Sequence, residues 1–273
     1  MIKIVGTGML GADDAVDRNQ RDMNPRLVAE VARKNADVIV RIKTAHWRQP
    51  NFTSVERALE AAKLANLPIM VDFGYFDTKP YQALIQDKLR PGDISTHFYR
   101  VPPPPVGQRR PCSGLPAGRA QARCDVRCGP WRGKLAFPLA EPMVKQRFWP
   151  DSISTDLHSG SVNGAMIDML NVMSIFLALG VPLNGVIRES TTNPATEIRR
   201  PEPGQIGVGA DADIAVLRLD HGNFGFVDTK GGRIESSGRL GCEMTLQLRK
   251  SGIRFQRAGR RALAYGRIEY PTC

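Results

Sequence analysis

Residues 36–43, "ADVIVRIK", make an apolar run that ends on a charged residue, Lys43. Three later runs end the same way: "LPIMVD" at 67–72 on Asp72, "DISTH" at 93–97 on His97, and "DSISTD" at 151–156 on Asp156. In a protein built of repeated βα units the C-terminal ends of the strands share one face, where the site residues of such folds collect. The four residues are therefore expected to converge there and to hold a metal.

Moving outward, helical patterns fill the intervals between the runs. "NPRLVAEVARKN" at 24–35 starts with Asn24 as an N-cap and Pro25 at the first helical position. "TSVERALEAAKLAN" at 53–66 reads as a capping box, Thr53 with Glu56, followed by apolar residues at helical period. A third helical stretch, "KPYQALIQDKL", covers 79–89. The runs start near Ile2, Ala36, Leu67 and Asp93, at intervals of 34, 31 and 26 residues. That is the length of a strand plus its crossover helix, which makes the sheet parallel. The next start, Asp151, comes 58 residues later, so one unit is hidden or lost in between.

That gap contains residues 101–136, "VPPPPVGQRRPCSGLPAGRAQARCDVRCGPWRGKLA", with seven Pro, five Gly, six Arg and no Ile, Phe or Met. Such a composition offers little apolar surface to offset ordering entropy, and its prolines argue against a central strand. It carries a net charge of +6, as do residues 249–273. Against +11 for the whole chain, the remainder is close to neutral, so the basicity belongs to two patches. Patches of this kind suit a polyanion. Neither has interleaved aromatics or a recognisable binding module, which disfavours nucleic acid. A solvated insertion and a stretch translated in a shifted frame are the other readings of 101–136.

The 273 residues, 42% hydrophobic, are enough for one large unit and a small one. No apolar run reaches the 18 residues of a membrane span, and the N-terminus has no basic region leading into an apolar one. Cys112, Cys124 and Cys128 include a C-x3-C without a matching second half, and Cys242 and Cys273 show no metal spacing. Reduced thiols and a cytoplasmic location are expected.

The chemistry rests on the strand ends. A lysine pointing into a barrel mouth is costly unless it is paired or chemically changed. His97 offers a neutral imidazole, and Asp156 an oxygen ligand that can also take a proton from activated water. Each residue also has a purely structural reading: Lys43 paired with an acid, His97 hydrogen-bonded in the core, Asp156 capping a helix.

"VIVRIKTAH", "LPIMVDFG", "RPGDISTHFY" and "PDSISTDLHSG" together resemble the later strand motifs of the amidohydrolase superfamily, in particular its dihydroorotase-like amidohydrolase/deacetylase members. The resemblance covers about residues 1–100 and 137–248, and "GQIGVGADADIAVLRLD" at 204–220 resembles the small β-sandwich flanking the barrel in that superfamily. It implies an α/β fold, a TIM-like (β/α)8 barrel, incomplete here, with a small β-sandwich-type C-terminal unit. It also implies zinc, one or two divalent ions, with Lys43 as a carboxylated bridging ligand, His97 as the strand-six histidine, and Asp156 as ligand and catalytic proton shuttle. Asp72 takes the strand-five position, His in most of the superfamily. His158 and His46 lie where substrate-binding residues collect. The His-x-His of the first strand does not occur among the four histidines. If Ile2–Val5 is strand three, the chain is N-terminally truncated and five of eight strands are readable.

The expected organisation is a partial barrel over 1–200, a small β-rich unit over 201–248 and a basic tail over 249–273. The expected activity is metal-dependent hydrolysis of a non-peptide C–N amide or cyclic amide bond in a small molecule, by activated water. The alternatives are an inactive remnant of such an enzyme and, after it, a polyanion binder. The sequence sets no oligomeric state.

Overall fold

The computed structural model describes residues 1–5, 19–44, 47, 51–72, 87–97, 99, 125–128, 135–157, 167–249 and 252–257. Six strands form one sheet: β1 (Ile2–Lys3), β2 (Ile42–Lys43), β3 (Ile69–Val71), β4 (Ile94–Thr96), β5 (Asp125–Cys128) and β6 (Ser152–Ile153). Their spatial order is their chain order and every pairing is parallel. This is the βα winding that the spacing of the runs implies.

Three local expectations change. The prolines of 101–136 were expected to exclude a central strand, yet β5 lies within that segment and pairs with both β4 and β6. The strand needs only Asp125–Cys128, a stretch without proline, so six strands are present where five were readable. The run from Ala36 contributes only Ile42 and Lys43 to β2, because 35–38 form a turn. The capping box on Thr53 is not formed: Thr53 is already helical, and Asn51 Oδ1 accepts from Thr53 N–H at 3.2 Å and from its hydroxyl at 2.8 Å. Glu56 turns outward to Lys88 Nζ, 2.8 Å away. Most of the helical stretch at 79–89 lies outside the described residues.

Helix α1 (Pro25–Lys34) is capped as expected, Asn24 Oδ1 accepting from Leu27 N–H at 3.2 Å. It buries Val28, Ala29 and Ala32. Helix α2 (Thr53–Ala65) buries Val55, Ala58, Ala61 and Ala62 and stops at Asn66, whose φ of 53° is left-handed. Small residues on these faces let both helices lie close to the sheet, where Ile4, Ile42, Ile69 and Val71 complete one core. Each such aliphatic side chain contributes roughly 1.5–3 kcal/mol by leaving water.

A second core gathers around α3 (Phe137–Lys145), α4 (Met169–Ala178) and α5 (Leu183–Ser190), with Phe176, Val172 and Ile175 at its centre. A further short helix, α6 (Thr192–Glu197), follows α5. Beyond them β7 (Ile214–Val227), β8 (Arg233–Arg249) and β9 (Gly252–Arg257) form an antiparallel sheet, so the basic stretch 249–273 contributes a strand. Phe226 and Leu240 of this sheet enter the second core, and Leu240 N–H donates to Ser174 Oγ on α4 at 2.9 Å. Asp228 fixes the β7–β8 turn by accepting from Lys230 and Gly232 N–H, each at 2.7 Å. Its other oxygen accepts from Phe137 N–H at 2.8 Å, tying the turn to the start of α3.

The end of the sheet opposite the strand C-termini is closed by a buried arginine. Arg41, just before β2, donates from Nη1 to Ile69 O (3.0 Å) and Gly92 O (2.7 Å), and from Nη2 to Glu197 O. One guanidinium thus joins the starts of β2, β3 and β4 to the end of α6 through its planar fork of donors.

Candidate active site

The parallel winding puts the C-termini of β2, β3, β4 and β6 on one edge. Lys43 is the last residue of β2, Asp72 follows β3, His97 follows β4, and Asp156 lies three residues past β6. The register Lys43↔Met70 and Val71↔Ser95 sets the first three side by side.

Asp72 is the hub. Its Oδ2 lies 3.1 Å from Lys43 Nζ and its Oδ1 accepts from His97 Nε2 at 2.9 Å. Asp72 and His97 are buried, and the Lys43 side chain is 16% exposed. Backbone and side-chain bonds hold the hub in place. Asp72 N–H donates to Thr44 Oγ1 at 3.1 Å, and Thr96 Oγ1 donates to Val71 O at 3.1 Å. Sequence reasoning missed both threonines; the signal was there, since each adjoins a singled-out residue, Thr44 after Lys43 and Thr96 before His97.

His97 and Asp156 both have positive φ, 62° and 48°. Non-glycine residues in this region are uncommon and often mark functional turns. Here the turn lifts each side chain off the strand at the edge where the site lies. Asp156 stands two strands from His97, with β5 between, and is half-buried. His46 and His158 lie outside the described residues, as do Cys112 and Cys124, the latter the first cysteine of the C-x3-C pattern. Cys242 is a free, half-buried thiol.

As donors for a metal, Asp72 and His97 form an oxygen–nitrogen pair already in contact. Lys43 as an ammonium has no lone pair to give. Among the described residues no group of three or more His, Cys, Asp or Glu side chains gathers at one point, so Asp156 does not join Asp72 and His97 as a third ligand. Two side chains fall short of the three or four that hold a zinc ion, so the described residues do not by themselves complete a metal site.

Comparison with known proteins finds relatives in sequence and in structure. The chain is 27% identical over 222 residues to a deacetylase of Agrobacterium fabrum, an alignment covering 78% of this chain and 53% of that protein. It is 27% identical over 231 residues to a deacetylase of Brucella anthropi, covering 78% and 54%. In structure it superposes on a dihydroorotase with a TM-score of 0.77 at 23% identity, over 95% of this chain and 70% of the other. The chain resembles these two deacetylases in sequence. An adenine deaminase gives the same TM-score, 0.77, at 18% identity, over 94% of this chain and 70% of that one. The fold of this deacetylase-like chain is accordingly that of a TIM-like barrel, seen here as six parallel strands. No protein-family model matches it. The chain spans about half the length of the two deacetylases. Among the described residues no helix is long and apolar enough to cross a membrane.

Proposed function

We propose that this chain belongs to an enzyme that hydrolyses a non-peptide C–N bond, an amide or cyclic amide in a small molecule, in the manner of a deacetylase. The observation that carries the proposal is the Lys43–Asp72–His97 chain of contacts at the C-terminal edge of a parallel βα sheet. Similarity to two deacetylases supports the reaction class.

Asp72 and His97 would contribute ligands to one divalent ion, zinc by the character of the donors. Such an ion would supply a Lewis acid for the amide carbonyl and lower the pKa of water toward neutrality. The chain's own groups supply the rest. Asp72 stays anchored between Lys43 and Thr44 and keeps His97 oriented. Asp156 accepts a proton from the attacking water and returns it to the departing nitrogen, which would otherwise leave as an unstable anion. His46 and His158 are proposed to contact the substrate. The barrel portion, 1–200, carries the chemistry, and the β-rich portion that follows braces it through α4.

A second reading has one observation in its favour: no three-donor cluster forms among the described residues. On that reading the chain keeps the fold and has lost the reaction. Acetate release from N-acetyl amino acids and ring opening of cyclic amides, measured on purified full chain with and without added zinc, separate the two. Zinc-dependent turnover of at least one substrate supports the hydrolase; none with any substrate supports the remnant.

A further inference from the structure

Helix α2 ends at the face opposite the candidate active site, and three arginines from three separate places in the chain meet there. The helix closes on Asn66, whose left-handed φ of 53° turns the chain toward the start of β3. The last carbonyls of a helix have no intrahelical partner. Arg33, near the end of α1, donates from Nη1 to Leu64 O at 3.4 Å. Arg199, just past α6, donates from Nη1 to Asn66 O at 3.4 Å. Arg90, ahead of β4, donates from Nη2 to Leu67 O at 3.2 Å.

The three differ in what balances their charge. Arg90 is matched by Asp93, with Nε donating to Oδ2 and Nη2 to Oδ1, each at 3.0 Å. Arg33 and Arg199 form no ion pair among the described residues. Glu30, three residues before Arg33, is held by Lys34 at 2.8 Å. Lys63, in the last turn of α2, and Arg200 are exposed and add positive charge to the same end. Carbonyls two residues apart at a helix end lie about 5–6 Å from each other, so Arg33 and Arg199 are held close together. Two like charges at such spacing repel unless an anion lies between them. Completing the helix end takes one N–H per carbonyl, yet each guanidinium carries five. Both side chains are exposed, and their remaining donors face solvent.

We propose that Arg33 and Arg199 form a binding site for a doubly charged phosphate group, anchored by the carbonyls at the end of α2. The carbonyls take one donor of each arginine and fix where the charges stand. The planar forks left over match phosphate oxygens, which a guanidinium can bind in pairs. The site lies at the far end of the strands from Lys43, Asp72 and His97, so its occupant is not the molecule that is hydrolysed. It is also distinct from the basic stretches 101–136 and 249–273, since both arginines belong to the folded βα part.

The test uses purified full chain labelled with 15N, titrated with inorganic phosphate at a pH where phosphate is doubly charged. Parallel titrations use sodium chloride at matched ionic strength and diethyl phosphate, a singly charged diester like those of nucleic acids and lipids. The amide signals of Leu64–Leu67 are expected to move saturably with phosphate and to need about tenfold more of it, or more, in Arg33→Gln and in Arg199→Gln. Chloride and the diester should give no saturable change. Equal shifts with chloride, equal binding of the diester, undiminished binding in both variants, or shifts confined to 101–136 or 249–273 would each overturn the proposal. The chloride and diester comparisons are made on the native protein, so they decide the matter even where a variant folds poorly.

Discussion

His97 and Asp156, at the ends of β4 and β6, share a left-handed backbone, with φ of 62° and 48°. Ordinary L-residues pay about 1–2 kcal/mol in that region, Asn and Asp less than most, and β-branched residues the most. Among the described residues, two of the five non-glycine residues with positive φ are thus ones that the strand-end pattern singles out. At position 156 the strain can be read separately from chemistry. Asp156→Asn should unfold within about 0.5 kcal/mol of the native chain, and Asp156→Val should lose roughly 1–2 kcal/mol. Equal midpoints in urea for the two variants would show that the turn carries no strain.

The Asp72 hub makes a prediction about coupling. Asp72→Ala leaves the mostly buried Lys43 ammonium without its carboxylate and should cost roughly 2–4 kcal/mol, somewhat less if water reaches Nζ. Lys43→Met in the same chain should return part of that loss, a coupling energy of about 1 kcal/mol or more in a double-mutant cycle. Strict additivity of the two changes would mean the pair is not an energetic unit.

Arg41 should matter to stability and not to the chemistry, since it lies at the opposite end of the strands. Arg41→Met removes hydrogen bonds to three backbone carbonyls, those of Ile69, Gly92 and Glu197, and should cost about 2–3 kcal/mol. Arg41→Lys restores only part of this, because an ammonium lacks the planar fork. Denaturant unfolding reads both; a neutral Arg41→Met would contradict the role given to this side chain.

Glu189 on α5 makes stability depend on pH. Its Oε2 is buried without a hydrogen-bond partner among the described residues, and burial pushes its carboxyl from the ordinary 4.5 up to about 7, with Arg188 opposing and Asp151 adding to the rise. A carboxyl whose folded value is raised favours folding while it is protonated. Its contribution is fully present below 4.5 and is lost as pH rises through about 7. Glu189→Gln should flatten the stability profile across that window and be the more stable protein above it. An unchanged profile in thermal melts between those pH values would remove Glu189 as the cause.

Much of this was legible from residues alone, for reasons that differ by element. Lys43, Asp72 and His97 could be found because strand ends in a parallel winding share an edge, and they do meet. Strand β5 could not, because Asp125–Cys128 sits among prolines and arginines and is too short to show a period. The helix start at Thr53 was read one step late, since Asn51, two residues earlier, reaches the same N–H. Arg41 looked like an interruption in an apolar run, when its burial depends on carbonyls 28, 51 and 156 residues away in sequence. Asp156 was expected among the metal ligands; the 58-residue interval already implied a unit between it and His97, but which side chains meet across that unit is a tertiary fact that no local pattern contains.

The central claim is that the strand-end residues perform amide hydrolysis, with Asp156 moving the proton. The most direct test is the rate of acetate release by native chain and Asp156→Asn at matched zinc content. Asparagine fits the same left-handed turn but cannot accept the proton, so the account predicts a fall of about 100-fold or more with the fold intact. Equal rates in the two proteins would contradict it.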